Sequence, residues 1–305
     1  ILMCLVAVKY FEDIGFCGIK HRDRNYVPTV NIVQSNRNGV QRLYLRDNAS
    51  RYTEGLNEFG VCILSSALAV RGDEEEIQSF KRKNRNGGSV STSGEKDGKK
   101  IRDALYEKTP LDAVKHLVET KLVGATLVFN EEECYILEFG EEIDDEEKSY
   151  EHKFKKVNPE DTIVRTNHGI MLPKYGYQKD ADDAKEMRSR KSSEIRRKIA
   201  LEQLDKISDP SEMMDALSIR NDDVEDVAYM NPIRTGDISK KEMVTTCQIM
   251  LFPAERTMHY RPIHSNVEFS YTNINNPKNK TFFEIISNRK LLGFKEFLAN
   301  KKEKE

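Results

Sequence analysis

The sequence predicts an α+β fold in which two mostly antiparallel sheets are layered between helices. Strand-like runs come in batches separated by helical pairs, and the densest polar clusters fall where strands end. The chain opens on one of these runs. Leu5 to Val8 are aliphatic and β-branched, as a strand buried on both faces requires. Cys4 stands just ahead of them, preceded by Met3. A Met before a small residue is of the kind removed after translation, and its loss would leave Cys4 with a thiol and a free α-amine on one residue. The amine titrates near ~8 and the thiol near ~8.5, so the amine can act as base for its own nucleophile. The plainer reading of Cys4 is a small buried core residue.

The 305 residues suffice for one large domain or two smaller ones. Charged residues make up 33%, yet the net charge is only −2, so no general attraction to nucleic acid or an acidic membrane surface is expected. Five scattered cysteines without a CxxC spacing indicate neither a zinc site nor a disulfide framework, and no metal or cofactor is expected. That cysteine pattern fits a reducing, cytoplasmic setting, and the opening apolar run is shorter than a signal segment or a membrane span, so a soluble protein is expected.

After the first strand, Glu12-Asp13 and Gly15 suggest a turn, and Phe16 to Ile19 return as the second arm of a hairpin. That arm runs into Lys20-His21-Arg22-Asp23-Arg24, a polar cluster beside the Cys4 strand. Gly55-Leu56-Asn57-Glu58-Phe59-Gly60 reads as a turn leading to an apolar strand through Cys62. Residues 74–76 suggest a short helix, and residues 81–100 a mobile loop. The basic residues of that loop lack the interleaved aromatics of a nucleic-acid surface.

Pro110 starts an amphipathic helix through Val118. Residues 124–130 and 134–139 form a hairpin pattern, followed by an acidic stretch and a strand near residues 152–157. Thr162 to Arg165 are a further strand, delivering Thr166-Asn167-His168. A charged surface helix is expected over residues 180–205, with a charged insert at 179–191 and with Ser192-Ser193 capping its later half. A short helix at 210–217, strands at 244–251, 256–260 and 267–271, and a last helix at 282–298 complete the chain.

Several of these blocks, in order, resemble the N-terminal nucleophile hydrolases of the choloylglycine hydrolase type, which include penicillin V acylase and bile salt hydrolase, with acyl-coenzyme A:6-aminopenicillanic acid acyltransferases as relatives. Met3-Cys4 resembles the nucleophile strand, and Lys20-His21-Arg22-Asp23 the block supplying an Arg and, three residues on, an Asp. Gly55 to Val61 are similar to the family's Gly-Met-Asn-Glu-x-Gly-Leu turn. Thr166-Asn167 and Ser192-Ser193-Glu194-Ile195-Arg196 resemble its Thr-Asn and Ser-Ser-x-x-Arg steps. The resemblance covers roughly residues 4–270.

It implies a single domain, a four-layer αββα sandwich, and hydrolysis of a linear, non-peptide amide through an acyl-thioester. Cys4 would be the nucleophile, Asp23 would hold its α-amine, Asn167 would donate to the oxyanion, and Arg196 would lie near the thiolate or Asp23. Lys20, Arg22 and Asn57 would support the site, Asn57 within its turn, and His168 would be structural. Lys20 stands where an Arg is usual, which leaves that role to Lys20 or Arg22. Ala67 stands where bile salt hydrolases carry an Asn. The implied partner is a small-molecule amide, and homo-oligomerisation stays open. Acyl transfer from the same thioester is a second reading. A non-catalytic module that keeps the fold is a third, because Ile1-Leu2-Met3 make the Cys4 nitrogen an amide.

Overall fold

The computed structural model describes residues 3–69, 93–144, 147–179, 183–272 and 284–286. Strands β1 (Met3–Phe11) and β2 (Gly15–Arg24) form the opening hairpin, in register Cys4↔Arg22 and Met3↔Asp23. A second hairpin follows, β3 (Thr29–Arg37) and β4 (Val40–Asp47). Its turn is Asn38-Gly39, both with positive φ (57° and 76°), the backbone a tight hairpin demands.

Next come β5 (Thr53–Asn57), β6 (Cys62–Ser66), helices α1 (Ser93–Ala104) and α2 (Pro110–Glu119), and strands β7 (Gly124–Phe129), β8 (Cys134–Asp144), β9 (Glu147–Lys156) and β10 (Ile163–Arg165). Then follow α3 (Ala184–Leu204), α4 (Met213–Ala216), α5 (Val227–Met230), and strands β11 (Val244–Phe252), β12 (Thr257–Pro262), β13 (Asn266–Thr272) and β14 (Glu284–Ile286).

The strands make two sheets. One has the order β10-β1-β2-β11-β12-β14, the other β13-β3-β4-β5-β6-β7-β8-β9. Among the described residues all strand pairings are antiparallel except β12 with β14 and β13 with β3. Alternation along each strand then builds the layers. Val6 and Val8 of the first sheet meet Leu43, Leu45, Leu56 and Leu64 of the second in the central core. Leu5, Ala7 and Ile19 face the other way, onto Ala200 and Leu204 of α3 and Met213 of α4. On the far side, Tyr44, Ile63 and Val128 pack on Ile101 of α1 and Val114 and Leu117 of α2. The chain is an α+β, four-layer αββα sandwich. No helix of the described residues is long and apolar enough to cross a membrane.

Several local expectations change. The β3–β4 hairpin is additional to the strands read from sequence. Residues 93–100, the end of the expected loop, are helical, while 81–92 and the helix expected at 74–76 lie outside the described residues. The charged segment after residue 183 is one helix, capped by Asp183, whose side chain accepts from Lys185 N. Ser192 and Ser193 lie in its middle and are buried, so they do not cap it. Within the expected C-terminal helix, Glu284–Ile286 pair as a strand, and the rest lies outside the described residues.

Three buried imidazoles are expected to make this fold acid-sensitive. His21, His168 and His259 are each lowered from the usual 6.5 to about 4, in every case chiefly by burial, which disfavours the charged ring. Unfolded imidazoles gain protons as pH falls through 6.5, whereas the folded ones resist until about 4. The unfolded state therefore binds more protons in that window. Stability is expected to be full above pH 6.5 and to fall towards pH 4, by on the order of 3 kcal/mol per imidazole. Urea unfolding at pH 7.5, 6, 5 and 4.5 measures this, and a flat profile over that range would refute it.

Candidate active site

Cys4 shares its face of β1 with Val6 and Val8, so its thiol lies between the two sheets, where the residue is only 2% exposed. On β2 the even-numbered side chains face the same layer. Lys20, Arg22 and Arg24 therefore enter the central core beside Cys4, while His21 and Asp23 point towards α3. A register of Cys4 with Arg22 makes Arg24 the diagonal neighbour of Cys4, within reach of a long side chain. Arg24 Nη1 lies 3.7 Å from Cys4 Sγ and donates to Asp23 O at 2.7 Å.

The opposite sheet supplies two carboxylates. Asp47 Oδ2 accepts from Arg24 Nε at 3.2 Å and lies 3.5 Å from Arg22 Nη2. Glu54 pairs with Lys20 and lies 3.4 Å from Arg22 Nη1. Lys20 also donates to Ser65 O at 2.6 Å. All five of these charged residues are buried. Burial works against the ionised Asp47, but Arg22 and Arg24 overcome it and hold the carboxyl down at about 2. Burial likewise opposes the charge on Arg24, and the Cys4 sulfur together with Asp47 more than offsets it. Three formal cations thus face two carboxylates, leaving one positive charge beside the thiol.

The nitrogen of Cys4 is held from the end of β10. Its N–H donates to Asn167 Oδ1 at 3.2 Å, and Asn167 Nδ2 donates to Ala67 O at 2.8 Å. Asn167 N donates to Ser193 Oγ at 2.9 Å, and Thr166 Oγ1 donates to Ser193 O at 2.9 Å, so the middle of α3 fixes this segment. His168 Nδ1 contacts Ser193 Oγ at 2.7 Å. Beyond it, the buried Glu138 carboxylate accepts from Ile170 N, Met171 N and Leu172 N, at 2.8–2.9 Å through Oε2, and from Arg165 Nε at 3.0 Å.

A second charge cluster lies on the α3 side of the same sheet. Asp23 Oδ2 accepts from Arg196 Nη2 at 2.6 Å and Oδ1 from Thr245 Oγ1 at 2.8 Å, with Arg234 Nε at 3.7 Å. Arg196 also donates to Asn231 O and Pro232 O. His21 Nδ1 donates to Pro232 O at 2.9 Å, which leaves Nε2 to accept from Gln248.

The geometry therefore regroups the residues expected from sequence. Cys4 and Asn167 come together, and so do Asp23 and Arg196, but the two pairs face different layers. The Cys4 nitrogen bonds Asn167 where Asp23 was expected, since Met3, not Cys4, is opposite Asp23 in the register. Arg196 binds Asp23 on the far face from Sγ, and the arginine at the thiol is Arg24. Lys20 and Arg22 bridge to Glu54 and Asp47. Asn57 is structural, closing its own turn and tying it to the segment after α1. Its Oδ1 accepts from Phe59 N and Val61 N, and its Nδ2 donates to Leu105 O and Glu107 O. Arg24, Asp47 and Glu54 were missed as site residues. The period-two parity of Lys20, Arg22 and Arg24 with Cys4 was the signal for the first.

A solved structure similar to this chain is the Caenorhabditis elegans ortholog of N-acylethanolamine-hydrolyzing acid amidase, at 13% identity and a TM-score of 0.48, over 82% of this chain and 93% of that one. No protein-family model and no curated protein sequence matches the chain.

Proposed function

We propose that the chain is an amidohydrolase that cleaves a linear, non-peptide amide through Cys4. The observation that carries this reading is the setting of Cys4. Its sulfur has a guanidinium 3.7 Å away and its nitrogen is fixed by Asn167 at 3.2 Å. In a chain beginning at Cys4, that nitrogen is an amine held beside its own thiol. The amine takes the thiol proton as Sγ attacks the substrate carbonyl, then returns it to the departing nitrogen as the C–N bond breaks. Water hydrolyses the resulting thioester. Arg24 offsets negative charge at the sulfur, and Asn167 orients the amine. Asp23 with Arg196 supports the strand from the other face.

Other thiols are poor competitors. Burial raises Cys17, Cys62 and Cys134 well above the ordinary thiol range and Cys247 to about 11. Brief exposure to a β-lactone or a reactive amide is expected to add one acyl group by intact mass, absent in Cys4→Ala. Acylation confined to Cys17, Cys62, Cys134 or Cys247 would sink the proposal. The 2% exposure of Cys4 favours a second reading, a non-catalytic module, for any form that keeps residues 1–3. Absence of the adduct in a chain that begins at Cys4 would select it.

A further inference from the structure

We propose that Asp47 is a positioning residue, whose carboxylate holds the Arg24 guanidinium against the Cys4 sulfur. This rests on the reading of Cys4 as the nucleophile. A guanidinium on a flexible stem stays at one atom only if its other donors are tied. Arg24 is tied twice, through Nε to Asp47 Oδ2 at 3.2 Å and through Nη1 to Asp23 O at 2.7 Å. The second tie is to the backbone of its own neighbour, so Asp47 is the anchor that comes from the other sheet. Arg24 Nη2 is buried and has no hydrogen-bond partner among the described residues. It remains a spare donor of the guanidinium whose Nη1 lies 3.7 Å from the thiol.

Asp47 is itself over-determined. Its Oδ1 accepts from Ala49 N at 2.9 Å and Ser50 N at 3.1 Å, in the turn after β4, and Tyr26 Oη donates to Oδ2 at 2.9 Å. Oδ1 therefore fixes the carboxylate, and Oδ2 serves Arg24 while it is steadied by Tyr26, with Arg22 Nη2 at 3.5 Å. The charged and titratable groups around Arg24 and Cys4 are Lys20 and Arg22 of β2, Glu54 of β5, Cys247 of β11, and Tyr26 and Tyr52. None of these other groups has a bond to Arg24 among the described residues, so the placement of its side chain from the second sheet falls to Asp47.

The sign of one measurement separates positioning from simple charge. As a bare anion near the sulfur, Asp47 would oppose the thiolate, and its removal would make Cys4 ionise at lower pH. As the anchor of Arg24, its removal would make Cys4 ionise at higher pH. Asp47→Asn suits the test, because the amide oxygen can still accept from Ala49 and Ser50.

The full chain, labelled at cysteine Cβ with carbon-13, reports the ionisation midpoint of Cys4 by NMR without any need for reagent access. Cys4→Ser identifies the resonance. Asp47→Asn is expected to raise the midpoint by about one pH unit or more. In an Arg24→Gln background the same change should give no rise. A midpoint that is unchanged or lowered by Asp47→Asn with Arg24 present would overturn the proposal. So would an equal rise in both backgrounds. Should Asp47→Asn fail to fold, Tyr26→Phe decides, since it loosens the same Oδ2 while keeping the charge. A smaller rise supports the anchor and no change rejects it. Absence of a Cys4 acyl adduct would instead remove the underlying reading, whatever these midpoints show.

Discussion

A chain that begins at Cys4 is expected to turn over its amide at least about a hundredfold faster than one whose residues 1–3 cannot be removed, the usual scale of a positioned general base. In the unprocessed chain the Cys4 nitrogen is a peptide N–H, donating to Asn167 Oδ1 at 3.2 Å. Its lone pair is delocalised into the carbonyl of Met3 and cannot take the thiol proton. Cleavage turns the same atom into an amine opposite Asn167, which is tied independently through Ser193 and Ala67. Met3, whose backbone is the register partner of Asp23, is absent from such a chain. The check is a comparison of single-turnover rates for the two forms with one activated amide. Equal rates would refute self-base catalysis and return His168, next to Asn167 in sequence, as the candidate base.

Asp23→Asn is expected to destabilise the fold by about 3–5 kcal/mol, the cost of leaving a buried charge without its partner. Asp23 and Arg196 are both fully buried and meet at 2.6 Å, across 173 residues of sequence. With Asp23 neutral, Arg196 and Arg234 face each other with no carboxylate between them, and Arg196 already contributes to lowering Arg234 after burial, to about 10. Arg196→Leu should cost less, since Arg234 at 3.7 Å and Thr245 at 2.8 Å still serve the carboxylate. The double variant should lose less than the two losses summed. Urea unfolding of the four proteins gives the cycle. A loss below about 1 kcal/mol for Asp23→Asn, or strict additivity, would show that the pair is not a unit.

Much of the sandwich could be read from apolar runs. The opening hairpin, the helix after Pro110, and the strands at 244–251 and 256–260 carry period or turn chemistry strong enough to stand alone. The β3–β4 hairpin was readable too, since Asn38-Gly39 between alternating residues is a strong hairpin signal. It went unread, and with it Asp47. Helix α3 was harder. The first part of its buried face is made of Ser189, Ser192, Ser193 and Arg196, with the apolar Ile199, Ala200 and Leu204 only in the last turns, so hydrophobic spacing makes it look like a surface helix. These polar groups are buried because Thr166, Asn167, Tyr229 and Asp23 satisfy them, which only the tertiary structure reveals.

The candidate site was legible in its members and not in their grouping. Cys4 and Asn167 meet, as do Asp23 and Arg196, yet motif order cannot say which face of a sheet a residue takes. Parity can. Odd and even residues of β2 diverge, and that rule would have separated Asp23 from Cys4 and put Arg24 beside it.

This alternation makes the spacing within β2 a constraint on how the gene can change. Lys20, Arg22 and Arg24 are matched to carboxylates on one side, and His21 and Asp23 to arginine, amide and carbonyl groups on the other. One residue inserted ahead of Lys20 would exchange the two sets. Three cations would then crowd Arg196 and Arg234, and Asp23 would be driven towards Asp47 and Glu54. Substitutions along the strand can be met one at a time by local adjustment. A change of length there disturbs both clusters together, so viable insertions should be confined to the exposed turn at Glu12 and Asp13, outside the frame of the strand.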